Sequence, residues 1–246
     1  MALAGIKELK NKLPNIRKTE KIDFVIINGE NAAEGMGLTQ ANFNDILALN
    51  VDVITMGNHT WGKKDIFKFI DHPKLIRPAN YPKGVVGKGY NIYTCQNKKI
   101  AVINLIGRVD INILSENPFI IAKELVAKLQ KEVDMIFVDF HAEATAEKIA
   151  MGYFLDGKVT AVFGTHTHVQ TADEKILPNG TGYITDIGMT GPKDSVIGMD
   201  IGVSLKRFET TLPERYKIAT GECMLNGVIF DIEDTNNKVK SIKRLY

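Results

Sequence analysis

Four of the five histidines stand in three short motifs whose side chains could bind metal ions. The motifs are Gly57-Asn58-His59-Thr60, Phe140-His141-Ala142-Glu143 and Gly164-Thr165-His166-Thr167-His168, and each follows an apolar run. Glu30-Asn31 follows a fourth apolar run, whereas His72 lies in a predicted loop. Oxygen and imidazole donors of this kind suit Mn, Fe or Zn better than a soft metal that prefers thiolates. The motifs therefore predict a metal site.

The number of donors predicts two metal ions. Glu30, Asn58, His141, His166 and His168 are more ligands than one tetrahedral zinc needs. A carboxylate can bridge two ions that lie roughly 3.5–4 Å apart, and such a pair lowers the pKa of a shared water and neutralises phosphate oxygens. We therefore predict a dinuclear centre for phosphoryl chemistry, in which a metal-bridging hydroxide attacks phosphorus.

His59 is the predicted catalytic residue. It adjoins Asn58 and is expected to point the other way, which would free it to protonate the leaving oxygen. His166 and His168 are two residues apart, so extended backbone would direct both imidazoles to the same side.

Each candidate also has an ordinary explanation when taken alone. His59 or His141 could be a satisfied polar residue, and Glu30 a solvated carboxylate. Asn31 and Asn58 could be turn residues, since asparagine tolerates left-handed backbone. Their combination and order favour the metal site. The glycine-rich segment 185–192 stays open between a ligand-contacting loop, a tight turn and a subunit contact, and we leave it out of the catalytic residues.

Alternating apolar runs and amphipathic stretches predict a layered α/β domain that must position these residues. The predicted strands are 22–27, 51–56, 90–93, 99–105, 134–140, 159–163 and 182–187, with a hairpin at 227–245. The predicted helices are 2–13 (interrupted by Pro14), 38–49 (with Thr39 as N-cap), 62–70, 119–132 and 143–153. Ligands of open α/β sheets bind outside the carboxyl ends of the strands. Glu30, Asn58, His141 and His166 each follow a strand and are expected to converge on one crevice.

The composition is that of a globular protein with a single domain spanning residues 1–246. A net charge of +2 and the lack of a basic, aromatic-lined tract argue against long nucleic acids as partners. No apolar stretch reaches the roughly 18 residues that a membrane span needs, and the N-terminus lacks a signal-peptide core. The two cysteines form no CxxC pair, which favours a reducing cytoplasm.

Five segments of the chain resemble the calcineurin-like metallophosphoesterases. The closer resemblance is to their YmdB-like branch of 2′,3′-cyclic-nucleotide phosphodiesterases, and it extends over essentially the whole chain. The segments that carry it are Ile27–Ala33, Ile54–Trp61, Val138–Thr145, Gly164–Val169 and Tyr183–Pro192.

This resemblance implies a four-layer αββα sandwich with two mixed β-sheets. Glu30 would bridge two metals, with Asn58, His141 and His166 completing the second metal site and His168 belonging to the first. Asn31 would lie beside the centre, and His59 would act as proton donor. The ions would be iron, with manganese or magnesium as alternatives. The substrate would be a cyclic nucleotide or related small phosphodiester, and the protein would form homo-oligomers.

The chain departs from the family pattern at its start. Family members begin with a strand that ends in Gly-Asp, and this Asp ligates the first metal, whereas here the chain opens almost directly on the first predicted helix. We expect this first strand to be missing, through a late start site, a shortened chain or a true variant. The alternative function is then a catalytically weakened regulatory protein that binds nucleotide or phosphate with an incomplete first metal site.

Overall fold

Helices and strands alternate over most of residues 2–246, the part of the chain that the computed structural model describes. The helices are α1 (Ala2–Thr19), α2 (Gln40–Leu47), α3 (Pro118–Leu129), α4 (Thr145–Leu155) and α5 (Ile201–Thr210), with a short 3₁₀ helix at Lys64–Lys68. The strands are β1 (Ile26–Asn28), β2 (Val53–Thr55), β3 (Leu75–Ile76), β4 (Tyr90–Cys95), β5 (Lys98–Ile106), β6 (Met135–His141), β7 (Ala161–Thr165), β8 (Lys175–Ile176), β9 (Gly182–Ile184), β10 (Thr190–Pro192), β11 (Cys223–Leu225), β12 (Gly227–Ile232) and β13 (Val239–Leu245).

The strands form one large mixed sheet and one smaller parallel sheet. The six-stranded sheet has the order β4-β5-β6-β7-β9-β8, with parallel strands at its centre and antiparallel strands at both edges. The three-stranded sheet β1-β2-β3 is parallel, and β10-β11 and β12-β13 are antiparallel pairs. The predicted α/β class with a mixed sheet is confirmed.

Alternation of side chains along the strands produces the predicted layers. In β2, Ile54 packs under α1 and α2, whereas Val53 faces the six-stranded sheet. In β5, Val102 meets Val53 between the sheets, and Ile103 packs on the opposite side against α3 and α4. The order of layers is thus helices, small sheet, large sheet and helices.

The first helix continues through Pro14, so the prediction that Pro14 interrupts it is wrong. A proline inside a helix removes one hydrogen bond and costs about 3 kcal/mol. Contacts beyond it offset that cost. Ile16 packs against the core, and the guanidinium of Arg17 donates to the carbonyls of Ile22 at 3.2 Å and Asn50 at 2.6 Å.

Other differences concern short strands and the last third of the chain. The strand predicted at 22–27 is observed later in the chain, as β1 at Ile26–Asn28, and the strand predicted at 51–56 shortens to its central residues as β2, because only these residues pair with each other in the parallel sheet. The sequence prediction has no helix at α5, because it favours strands in the last third of the chain. Its signals are apolar residues four and three apart (Ile201, Leu205, Phe208) and the N-cap Asp200, which accepts from the N–H of Val203 at 3.0 Å.

The predicted N-cap of α2 is confirmed, since the Thr39 side chain accepts from the N–H of Asn42. Over residues 2–246, α1 is the first element, and the described strands follow it. A cavity of about 680 Å³ lies between β1 and β12 and extends to Glu30, His141 and His168.

Within the described part of the chain, no helix combines the length and apolarity needed to cross a membrane.

Candidate metal centre

The predicted ligands lie where strands from both sheets end. In the small sheet, β1 ends two residues before Glu30 and β2 ends three residues before Asn58. In the large sheet, His141 is the last residue of β6, and β7 ends directly before His166. The site therefore lies between two sheets rather than at the edge of one.

The Nε2 atom of His141 is the centre of the first group. It lies 2.8 Å from Asn58 Oδ1, 3.0 Å from His166 Nδ1 and 3.2 Å from Glu30 Oε2. Glu30 and His141 are both buried. The ligand atoms of Glu30, His141 and His166 all lie within 4.8 Å of one another, which is the arrangement expected around a metal ion.

Hydrogen bonds behind His141 determine what its Nε2 atom can do. Thr165 Oγ1 donates to Asp139 Oδ1 at 2.7 Å, so it must accept from His141 Nδ1, which lies 2.9 Å away. The neutral imidazole then has its proton on Nδ1 and a lone pair on Nε2. This lone pair faces the acceptor oxygens of Asn58 and Glu30. Acceptors cannot satisfy one another, so the geometry fits a cation between them.

The pKa shifts follow from the same contacts, with a proton on His141 Nε2 in the place of the cation. Burial raises the pKa of Glu30, but the charge and hydrogen bond of His141 outweigh burial, and the pKa falls to about 2. Burial lowers the pKa of His141, but the Glu30 carboxylate reverses this and raises the pKa overall. Burial, then the charge of His141, lowers the pKa of His166 to about 4. At neutral pH Glu30 is thus ionised and His166 is neutral, and these are the forms that bind a metal.

Asn31 and His168 form a second group with the same property. His168 Nδ1 donates to the carbonyl of Ile197 at 3.2 Å, which leaves the lone pair on Nε2. Asn31 Nδ2 donates to the carbonyl of Gly35 at 2.8 Å, so Asn31 Oδ1 faces His168 Nε2 at 3.2 Å as a second acceptor. Burial lowers the pKa of His168, which keeps the imidazole neutral. Glu30, His141 and His166 of the first group line the same cavity as Asn31 and His168.

The backbone at residues 166–168, which we call the histidine loop, differs from the prediction. His166 has a φ of 108° and His168 a φ of 68°, so the assumption that extended backbone aligns their side chains is wrong. Such conformations cost about 1–3 kcal/mol each in residues other than glycine and persist only where the surroundings hold them. They direct His166 to the first group and His168 to the second.

His59 lies beside the first group. Its backbone N–H donates to Glu30 Oε2 at 3.2 Å, and its ring Nε2 lies 3.3 Å from Asn58 Nδ2. The ring therefore lies next to the Asn58 side chain, so the prediction that His59 points the other way is wrong. It is partly exposed, so a substrate can reach it from solvent. Its role as proton donor stays a prediction.

Several residues that support the centre escape sequence reasoning. Asp139 and Thr165 orient His141, and Glu143 Oε2 lies 3.0 Å from His166 Nε2. A side chain at Gly57 would collide with Glu30 and the His141 ring. Two of these residues have a signal in the sequence: Asp139 is an acidic residue inside the apolar run of β6, and Gly57 directly precedes Asn58.

The fold matches solved structures over nearly the whole chain. A structure from Mycoplasma pneumoniae, described as a novel phosphatase, has a TM-score of 0.93 and 37% identity and covers 99% of this chain and 89% of that chain. A hypothetical protein from Thermus thermophilus has a TM-score of 0.92 and 36% identity, with coverage of 99% and 94%. The double-sheet fold and the carboxylate–histidine cluster define the metallophosphoesterase class.

Within that class, the chain belongs to the YmdB-like protein family, whose model matches residues 1–245. A relative from Bacillus subtilis (strain 168), named 2′,3′-cyclic-nucleotide 2′-phosphodiesterase, is 51% identical over 242 residues, covering 98% of this chain and 91% of the relative. The family resemblance drawn from the sequence is confirmed.

The hydrogen bonds behind His141 lead to a prediction. In Thr165→Val, Nδ1 of His141 loses its acceptor, and we expect the affinity for Mn²⁺ to fall about 10- to 100-fold, as is typical when a residue that orients a ligand is lost. Electron paramagnetic resonance measures the concentration of free Mn²⁺, from which the affinity follows. The control is Thr160→Val, which removes the hydroxyl that accepts from Ile136 N at the opposite end of β7. Equal affinities in both variants would contradict the role of Thr165.

Proposed function

We propose that this chain is a metal-dependent phosphodiesterase that hydrolyses 2′,3′-cyclic nucleotides. The observation that carries the proposal is the pair of facing acceptor groups, one around His141 Nε2 and one between His168 Nε2 and Asn31 Oδ1. Two cation positions along one cavity would suit a phosphodiester, whose charge must be neutralised as it reacts. The activity in the name of the Bacillus subtilis relative supports the choice of substrate.

The ligand assignment follows the two groups. Asn58, His141 and His166 would hold one ion, His168 and Asn31 the other, with the Glu30 carboxylate between them. When bound, the ions supply a lowered pKa for water and neutralise the phosphate oxygens. We propose iron as the metal, as the family resemblance implies, with manganese or magnesium as alternatives, and the oxygen and nitrogen donors are compatible with iron.

His59 would act on the leaving oxygen. Water adds to phosphorus, the bond from phosphorus to the ribose 2′ oxygen breaks, and that oxygen takes a proton. His59 lies at the partly exposed side of the first group, next to Asn58, where a nucleotide can approach. The product would be a nucleoside 3′-phosphate.

We also propose that the protein forms homo-oligomers and works in the cytoplasm on small molecules. The helix α5 supports oligomers, since Ile201, Leu205 and Phe208 are exposed along it. The two cysteines, Cys95 and Cys223, are free, which suits a reducing compartment. The balanced net charge of +2 argues against long nucleic acids as substrates.

The direct test is hydrolysis of 2′,3′-cyclic AMP by protein loaded with Fe²⁺ or Mn²⁺, measured by chromatography of the product. We expect 3′-AMP to accumulate and a chelator to stop the reaction. In Glu30→Gln, kcat/KM should fall by more than about 100-fold, because loss of a ligand exceeds the loss of a residue that only orients one. The control is Glu174→Gln, in which a remote carboxylate paired with Arg244 is neutralised. Bound metal and bound nucleotide without turnover would favour the regulatory alternative.

The role of His59 has a separate test based on the leaving group. An alkoxide must be protonated as it departs, whereas p-nitrophenolate need not be. In His59→Gln, we expect kcat for 2′,3′-cyclic AMP to fall about 100-fold or more, and kcat for bis(p-nitrophenyl) phosphate by less than about tenfold. His72→Gln is the control, since His72 lies outside the centre and packs against Phe43. Equal losses on both substrates would contradict proton donation by His59.

A further inference from the structure

The backbone of the loop that contains His166 and His168 must be stabilised by contacts with other groups. Both residues have positive φ angles, 108° and 68°, and Thr167 lies between them. Without glycine, such backbone persists only where neighbouring groups hold it. The metal ligands of this loop therefore depend on what fixes Thr167.

Asp186 fixes Thr167 through two hydrogen bonds. Its Oδ2 atom accepts from the backbone N–H of Thr167 at 3.1 Å and from the Thr167 hydroxyl at 2.8 Å. Asp186 is fully buried and is itself held, because its Oδ1 atom accepts from the N–H of Gly188 at 2.9 Å. Thr171 Oγ1 also accepts from the N–H of Asp186 at 3.0 Å.

The charge of Asp186 is balanced by Lys148, a buried residue of α4. Lys148 Nζ lies 2.7 Å from Asp186 Oδ2, and both side chains are 1% exposed. Burying a charged group is costly unless it is paired and hydrogen-bonded, and this carboxylate has both kinds of partner. Gly164 in β7 allows the segment 185–192 to come close to this strand, because a side chain at Gly164 would collide with the Thr185 carbonyl.

We propose that Asp186, paired with Lys148, is the positioning residue of the histidine loop. By fixing Thr167, it sets the backbone that directs His166 to the group around His141 and His168 to the group that it forms with Asn31. Asp186 lies in the glycine-rich segment 185–192, which thereby acquires a role in the centre. The inference rests on the proposed function, since it assumes that these imidazoles bind metal.

The test uses Thr167, because Asp186→Asn would leave Lys148 as an unpaired buried cation and could prevent folding. Thr167→Val removes the hydroxyl and keeps the ion pair intact. We expect the dissociation constant for Mn²⁺ alone, measured by electron paramagnetic resonance, to rise about 10- to 100-fold. Thr167→Ser, which restores the hydroxyl, should return it to within about threefold of the original value. Hydrogen exchange of the amides at 166–168, measured without metal, should be faster in Thr167→Val only.

The matched control is Thr181→Val. Thr181 is buried, and its hydroxyl donates to the carbonyl of Val159 at 2.7 Å and accepts from the N–H of Gly157 at 2.9 Å, so its loss lowers stability away from the loop. We expect this variant to melt earlier while keeping its Mn²⁺ affinity and its exchange at 166–168.

Thr167→Val with original Mn²⁺ affinity and original exchange would overturn the inference and leave the proposed function standing. A parent protein that binds neither Mn²⁺ nor Fe²⁺ would overturn the proposed function instead. The exchange measurement would then still decide whether Asp186 holds the loop.

Discussion

Lone pairs that face one another at hydrogen-bonding distance are the constraint on which the centre depends. His141 Nε2 faces the oxygens of Asn58 and Glu30, and His168 Nε2 faces the oxygen of Asn31. None of these atoms can donate to its neighbour in the neutral tautomers, whereas a cation, or a proton on His141, would satisfy them. The raised pKa of His141 has the same origin, because a proton on this ring is the simplest cation that the site can hold.

The fold maintains this arrangement by fixing the residues between the ligands. In the segment Gly164–His168, the two histidines face the cation positions, and the two threonines are bound to buried carboxylates. Thr165 donates to Asp139 and so orients His141, whereas Thr167 is fixed by Asp186. Strand ends from both sheets deliver the remaining ligands. The centre is therefore a property of the sandwich and not of any one motif.

The sequence predicts the parts of this site that have local signals. Buried apolar runs mark the strands, and polar residues directly after them mark Glu30, Asn58, His141 and His166 as candidates. It cannot predict contacts between distant segments. The pairing of Lys148 with Asp186 joins a helix to a loop far along the chain. The helix α1 continues past Pro14 because Ile16 packs on the core and Arg17 donates to carbonyls outside the helix. The positive φ angles of His166 and His168 escape prediction for the same reason, since tertiary contacts hold them.

The most direct test of the account is an anomalous-difference map from crystals soaked in Mn²⁺. The account predicts one peak within bonding distance of Glu30, Asn58, His141 and His166, and a second peak beside His168 and Asn31. A peak at another surface, or full Mn²⁺ binding in solution with no density between these side chains, would contradict it.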